Sequence, residues 1–529
     1  MRESLLARQR SGDASASATS SLRLKHPAQQ PRANTMDLQS GPQATPPEAE
    51  RRSGSARYGT ALGSGREPAP DYASAATLEQ IATGHRLCLD GSYAHAEACF
   101  RVAVEREPDW PMAHNNLGWS LQAQGRNEDA LVSYQTAVRL APTFALARAN
   151  LAYLLANLYW HVGRFEEARA MWRVLAALYP YDPEVLDNLI STALRVNDLT
   201  DAGHWATRHA AVTRASTYHP MSAAAPDVPM PEPRLSRGKL RHDLEQLRYL
   251  RDEGQLDESF DAVIACYAQT LERFDEGDAA LRQKLYDAPE MKSTYGRIVH
   301  CHPAARVAGG ALSEAMTHSQ AEQAYLASQL GIVVIDDFLS PPALSALRRF
   351  CLESTVWHTN RYAYDRLGAF FRDGFNCPLL LQIADEIRQA FPNVIGEHHP
   401  LLQLWGFKYR HDQPATHPHA DFAAVNVNFW ITPDEANQDE QSGGLVIYDV
   451  EAPLDWDFDA YNRQGDRISA FLQEAGAQQI VIPYRCNRAI IFNSDLFHAT
   501  APLQFRAGYV DRRINVTMLY GERNHPRAA

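Results

Sequence analysis

Gly84, Leu87, Ala96, Phe100, Ala103 and Pro108 are followed, at a constant interval of 34 residues, by Gly118, Leu121, Ala130, Tyr134, Ala137 and Pro142. A period of this length, carrying small residues, one aromatic and a closing proline, confines the chain to stacked pairs of helices. The small residues let paired helices approach closely, and the aromatic is expected to fill the gap to the next pair. The proline ends the second helix because it lacks a backbone donor. A third copy carries Ala152, Leu155, Ala168, Trp172 and Pro180, displaced by four extra residues near Tyr159 to Val162. A degenerate fourth runs from about Glu184 to Ala210. One pair cannot bury its own apolar face, so the copies predict a solenoid with a concave groove.

The pattern resembles tetratricopeptide repeats. The resemblance implies a groove that binds an extended peptide or partner protein; bracing of a neighbouring domain, or dimerisation, is the alternative role. At 529 residues the chain is too long for one core. The division expected is a disordered tail over 1–75, repeats over 76–212, a Pro-rich linker over 213–236, a helical region over 237–329, a catalytic domain over 330–521 and a short tail over 522–529. The first segment is rich in Ser, Ala, Gly, Pro and Arg, and Met36 is a candidate start within it. Pro220, Pro226, Pro229, Pro231 and Pro233 mark the linker. Leu244, Leu247, Leu250, Leu256, Phe260, Val263, Ile264 and Tyr267 give residues 237–290 an apolar helical face. Residues 331–335 read as a buried-type strand, and Leu344 to Leu352 as an amphipathic helix.

Chemistry concentrates further on, in His419-Ala420-Asp421, His498 and Arg513-Ile514-Asn515. Side chains two apart on a strand share a face, so His419 and Asp421 are expected to grip one metal ion from one strand while His498 comes from a neighbour. Two imidazoles and one carboxylate leave positions open for a chelating co-substrate and dioxygen, an arrangement that suits Fe(II). Residues 423–431 alternate as a strand, residues 442–448 turn into another, and residues 489–493 are a short apolar strand ahead of His498. In the run from Arg513, parity puts Arg513, Asn515 and Thr517 on one face and Ile514, Val516 and Met518 on the other. Asn426 and Asn428 share a face with Trp430, and either line the pocket or face outward. Pro418 makes a regular strand through His417 unfavourable, so His417 reads as a rim residue. Between Asp421 and His498 lie a polar stretch, 433–442, and an expected loop, 452–478.

Over residues 330–521 these motifs resemble the 2-oxoglutarate- and Fe(II)-dependent dioxygenases, the family that includes prolyl hydroxylases. The resemblance implies a double-stranded β-helix, a jelly-roll barrel with flanking helices. The fold class expected is therefore multidomain α and β, an N-terminal α-solenoid followed by that barrel. The resemblance further implies that His419, Asp421 and His498 hold Fe(II). Arg513 would pair with the distal carboxylate of 2-oxoglutarate, since its fork of donors matches a carboxylate. Arg512 is the fallback anchor if the register slips by one. Asn515 and Tyr409 are candidate co-substrate contacts, although a core tyrosine with a satisfied hydroxyl is the favoured reading of Tyr409. Dioxygen is the second co-substrate, and ascorbate a candidate reductant. The implied reaction is hydroxylation of a C–H bond in a protein or peptide side chain, with succinate as co-product. Hydroxylation of a small molecule, and a non-catalytic repeat scaffold with a metal-binding or empty barrel, are the rival readings.

A formal net charge of −12 argues against nucleic acid as the main partner, because phosphate neutralisation needs a dense basic face. No run approaches the roughly 18 apolar residues of a membrane span. The seven cysteines are scattered and odd in number, which fits a reducing compartment, and the cytoplasm is the expected location. His300-Cys301-His302 lacks a second half-site and reads as chance proximity.

Overall fold

The computed structural model describes residues 73–216, 218, 234–314, 318–360 and 362–523. The expected N-terminal tail up to residue 72, Met36 and the five linker prolines lie outside the described residues. Four consecutive helix pairs come first: α1 (Ala75–Leu89) with α2 (Tyr93–Arg106), α3 (Pro111–Ala123) with α4 (Asn127–Leu140), α5 (Ala145–His161) with α6 (Phe165–Leu178), and α7 (Pro183–Arg195) with α8 (Leu199–Arg214). Local chemistry fixes their starts. Ser74 accepts from the Thr77 backbone amide ahead of α1, and Asp182 accepts from Glu184 and Val185 while Pro183 opens α7.

The repeated glycine and aromatic are one device. A Cβ on Gly84 would lie 2.5 Å from the Phe100 ring, and one on Gly118 would lie 2.7 Å from the Tyr134 ring. Each aromatic therefore packs on the glycine of its own pair, where only a missing side chain leaves room for a ring, and Phe100 shares a buried cluster with Trp110, Leu117 and Leu121 of the following pair. The four extra residues of the third copy extend α5 to 17 residues, against 13 in α3, adding about one turn. The fourth pair runs past Ala210 to Arg214, so the first residues assigned to the linker are helical.

Four helices follow: α9 (Arg237–Asp252), α10 (Phe260–Arg273), α11 (Ala279–Tyr286) and α12 (Pro289–Thr294). Leu244, Leu247, Leu250, Leu256, Phe260, Val263 and Tyr267 share one buried cluster. Residues 295–314 form no helix, and α13 (His318–Ala327) precedes the sheets. The expectation of a helical region through 329 is corrected there; Pro303, Gly309 and Gly310 interrupt that stretch.

The rest of the chain is rich in antiparallel sheet. In order come β1 (Ile332–Ile335), α14 (Pro341–Glu353), β2 (Leu367–Phe370), α15 (Pro378–Ala390), β3 (Leu401–Lys408), β4 (Asp412–Gln413), β5 (Ala423–Trp430) and β6 (Leu445–Glu451). They are followed by α16 (Phe458–Asn462), α17 (Gly465–Glu474), β7 (Gln479–Ile482), β8 (Ala489–Asn493), β9 (Leu496–Thr500), β10 (Leu503–Gln504) and β11 (Ile514–Glu522). One sheet has the order β1-β8-β5-β11-β3-β2, a second β7-β6-β9, and a third β10-β4. Among the described residues these sheets do not join into a closed barrel. Pro433, Pro483 and Pro502 stand just beyond β5, β7 and β9, where a continuing ladder would need backbone donors. β1 is an edge strand with Val334 exposed, not a strand buried on both faces. Residues 452–478 are not a loop, since they fold into α16 and α17. β11 runs through Glu522, so a tail beginning at 522 would cut into it.

Two cores flank the six-stranded sheet. Ile514, Val516 and Met518 of β11 join a cluster with Leu347, Leu380 and Ile383 of α14 and α15, and with Ile190, Ala202 and Ala206 of the last repeat pair. The repeats are thereby packed into the same core as the sheet. On the opposite face Trp405, Trp430, Ile490, Phe492 and Leu519 meet Leu445, Ile447 and Ile482 of the three-stranded sheet. The functional groups lie on this inner side.

Candidate metal centre

His419-Ala420-Asp421 precedes β5 as an extended stretch held by one isolated bridge to His498. His419 N donates to His498 O at 3.0 Å, and His498 N donates to His419 O at 2.8 Å. The expectation of a regular strand through His419 and Asp421 is corrected, since Pro414 and Pro418 supply no backbone donors to a ladder. α16 supports the tripeptide instead. Ala420 N donates to Tyr461 O at 3.0 Å, and Asn462 Nδ2 donates to Ala420 O at 2.8 Å.

The three side chains converge. One ligand atom from each of His419, Asp421 and His498 lies within 4.8 Å of the others. His498 Nε2 is 3.5 Å from Asp421 Oδ2, and the two imidazole centroids are 4.6 Å apart. Asp421 and His498 are only 1% and 4% exposed. His419 Nδ1 contacts His417 O at 3.2 Å and His498 Nδ1 contacts Leu496 O at 3.0 Å. A carbonyl can only accept, so both Nδ1 atoms donate, which leaves the Nε2 atoms as the candidate ligand atoms. Burial, with the second imidazole adding and Asp421 opposing, pulls His419 down to about 4. Its neutral, ligating form therefore prevails near neutrality.

Behind the carboxylate runs a chain of amides. Asn426 Nδ2 donates to Asp421 Oδ2 at 2.6 Å, and Asn428 Nδ2 donates to Asn426 Oδ1 at 2.6 Å. Asn428 Oδ1 in turn accepts from Asn515 Nδ2 at 3.0 Å and Thr517 Oγ1 at 2.7 Å. Asn426 and Asn428, left open by the sequence, thus face inward. The Asn515 amide nitrogen is committed to this chain, with a further bond to Thr517 Oγ1 at 2.9 Å. It supports Asn428 and is not presented to a co-substrate.

Arg513 stands one residue ahead of β11, 1% exposed, on the same inner side. Its Nε donates to Gly443 O at 2.6 Å, and its guanidinium lies 4.6 Å from the Tyr409 ring centroid and 5.3 Å from that of Trp430. Arg513 Nη1 and Trp430 Nε1 are buried donors without a hydrogen-bond acceptor. Arg512 turns the other way, donating to Glu245 Oε2 from Nε at 3.0 Å and Nη2 at 2.8 Å. Tyr409, immediately after β3, is buried with its hydroxyl 3.2 Å from Thr500 Oγ1. Burial pushes that phenol up, yet Arg366 and then Arg513 outweigh it and hold it below its ordinary value.

Two imidazoles held through Nδ1, a braced carboxylate and an adjacent arginine with an orphaned donor fit a divalent cation and a small dianionic chelator. His417 is exposed and contributes only its carbonyl. His300 and His302 are turned onto Glu353, through its backbone oxygen at 2.9 Å and Oε2 at 3.0 Å. Sequence reasoning missed Trp430 as a donor and Arg366 altogether. The signal for Trp430 was present, since it shares the parity of Asn426 and Asn428.

Comparison with known proteins bears on the helical part. The Tetratricopeptide repeat profile matches residues 90–145 and 117–183. The peroxisomal targeting signal receptor of Eremothecium gossypii is 38% identical over 86 residues, which cover 16% of this chain and 14% of the receptor. The TPR repeat-containing thioredoxin TTL4 of Arabidopsis thaliana is 35% identical over 86 residues, covering 16% of this chain and 12% of its own. The chain therefore spans a small part of the length of these curated relatives. A solved structure of the first TPR of Spaghetti (RPAP3) bound to an HSP90 peptide shares 18% identity over 23% of this chain and 93% of that one, with a TM-score of 0.21. Residues 90–183 of this chain are tetratricopeptide repeats.

Proposed function

We propose that the sheet-rich region is a 2-oxoglutarate- and Fe(II)-dependent dioxygenase on a double-stranded β-helix, and that the repeats bring it a protein or peptide to hydroxylate. The observation that carries this reading is the convergence of His419, Asp421 and His498 within 4.8 Å, beside the buried and partly unsatisfied Arg513. These three side chains would hold the iron. When bound with 2-oxoglutarate and dioxygen, the metal supplies oxidative decarboxylation to succinate and oxygen insertion into a C–H bond.

The chain's own contribution is positioning and charge. The carbonyls of His417 and Leu496 fix both imidazole tautomers, and Asn426 fixes the carboxylate rotamer. Arg513 receives the distal carboxylate of 2-oxoglutarate, with Trp430 Nε1 as a second donor and Tyr409 as the aromatic wall. Phe492, whose ring lies 4.9 Å from that of His498, keeps water from the ligand cluster. The curated relatives include receptors for a targeting signal, and the repeats here are read likewise as a peptide-binding surface. Tethering a peptide beside the pocket raises its local concentration there.

Succinate formation from 2-oxoglutarate in the presence of Fe(II) tests this reading. Wild-type protein is expected to turn over, and His419→Ala to lose it. Equal turnover in both would remove the ligand assignment, and no turnover in either would favour a repeat scaffold. Full activity on the natural substrate after deletion of residues 76–212 would remove the repeats from recognition.

A further inference from the structure

A second arginine stands on the inner side, beside Tyr409, and neither the metal nor the co-substrate is assigned to it above. Arg366 immediately precedes β2 and shares the parity of Phe370, which belongs to the inner core. Its guanidinium carbon lies 4.8 Å from the Tyr362 ring centroid, 4.7 Å from Phe407 and 5.8 Å from Tyr409. Arg366 Nε is buried without a hydrogen-bond acceptor, while the residue as a whole keeps partial access to solvent. Neighbouring Arg410 is already paired with Asp412 at 2.9 Å and lies 3.8 Å from Asp365. Among the described residues no carboxylate pairs with Arg366, whose guanidinium also meets the Tyr409 hydroxyl.

The turn that delivers Arg366 is strained and clamped. Tyr364 and Asp365 both adopt left-handed backbone, with φ of 60° and 59°, a conformation non-glycine residues avoid. Gln413 Nε2 donates to Tyr364 O at 2.7 Å. Asp365 sits against Gly238 of α9, where any Cβ would collide with it. Such strain persists only where the surroundings impose it, and it gathers at binding sites. Here it holds a cation over two aromatic rings at the edge of the pocket.

We propose that Arg366 is a carboxylate-binding subsite for the molecule that is hydroxylated, with Tyr362 and Phe407 covering the apolar part beside that carboxylate. The inference rests on the dioxygenase reading for its chemistry, but not for its binding. Arg513 is the deeper, fully buried arginine and meets the needs of a diacid co-substrate. Arg366 is the more accessible one, left with a cation's attraction for a second anion. An acidic side chain or C-terminus of a peptide and a free carboxylic acid present the same group.

The test measures binding on the full chain with Mn(II) and N-oxalylglycine present, using two fluorescent peptide pools that differ only in Asp/Glu against Asn/Gln. Wild type is expected to bind the acidic pool about 10-fold tighter or more. Arg366→Ala should lose that preference, and Arg366→Lys should keep part of it, with the Michaelis constant for 2-oxoglutarate within about twofold in both. Competition by benzoate or glutarate, with neither pool binding, would keep the carboxylate subsite and assign it to small acids. An acidic preference that survives Arg366→Ala overturns the proposal. So does loss of 2-oxoglutarate affinity with the pool preference intact, which would give Arg366 to the co-substrate. If wild type forms no succinate yet loses its acidic preference in Arg366→Ala, the subsite stands and the dioxygenase reading falls.

Discussion

Asn426 donates its amide hydrogen to Asp421 Oδ2 across 2.6 Å, with both residues buried. A carboxylate that must present an oxygen to a cation is held in one rotamer by that bond, and the bond is itself held by Asn428. Outer partners of this kind typically contribute roughly 10–100-fold to metal affinity. Asn426→Ala is therefore expected to weaken Mn(II) binding by about that factor in a competition assay with a fluorescent chelator, with little loss of helical signal. Affinity unchanged within about twofold would mean that Asp421 needs no support.

Arg512 and Arg513 are adjacent, yet they face opposite sides of the sheet. Arg513→Ala should raise the Michaelis constant for 2-oxoglutarate by roughly 10-fold or more, the effect of losing a charged hydrogen bond. Arg512→Ala breaks only the Glu245 pair and should leave that constant unchanged while lowering the melting temperature. Steady-state kinetics on the two variants decides the register, and the reverse pattern would move the anchor to Arg512.

Gly118 and Tyr134 occupy one crossing of the second repeat. A methyl group on Gly118 would stand 2.7 Å from the tyrosine ring, so Gly118→Ala should destabilise the chain by about 1–3 kcal/mol in denaturant unfolding. Adding Tyr134→Leu should recover part of that loss. Strict additivity of the two changes would show that the glycine serves something other than the ring.

At the junction between repeats and sheets, Arg214 Nε donates to Asp373 Oδ1 at 3.1 Å, and His209 Nδ1 meets Arg372 O at 2.8 Å. Burial pushes the Asp373 carboxyl up, but Arg214 and Arg372, with His209 and His358, outweigh it and hold it well below the carboxylate range. Burial also lowers His209, with Asp187 and Asp373 opposing. Both folded-state values are depressed, so the unfolded chain binds more protons as pH falls. Stability is complete above about 6.5 and is lost on acidification, first through His209 and then below about 4 through Asp373. Thermal unfolding should show a falling melting temperature from pH 7.5 to 5, with a shallower slope in His209→Gln. A flat profile over that range would contradict the assignment.

The repeats were legible because one packing need recurs: a glycine under a ring, at fixed spacing, prints a period into the chain. The inward side of Arg513 was legible because the run that follows it alternates, with Ile514, Val516 and Met518 on the opposite face. The inward direction of Asn426 was not, since β5 is covered on both sides and Val427 is as buried as Asn426. The bend of His419-Ala420-Asp421 out of a regular strand depends on α16, whose five residues are too few to leave a periodic signal. Arg366 was hidden for another reason. Its placement depends on left-handed backbone at Tyr364 and Asp365, where the sequence offers no glycine to announce a turn.

Calorimetric titration of Mn(II) into the metal-free protein asks whether His419, Asp421 and His498 form one cation site. One cation is expected to bind per chain, with weakening by about 10-fold or more in each of His419→Ala, Asp421→Ala and His498→Ala. Binding of undiminished affinity in all three variants, or no binding by wild type, would contradict that site.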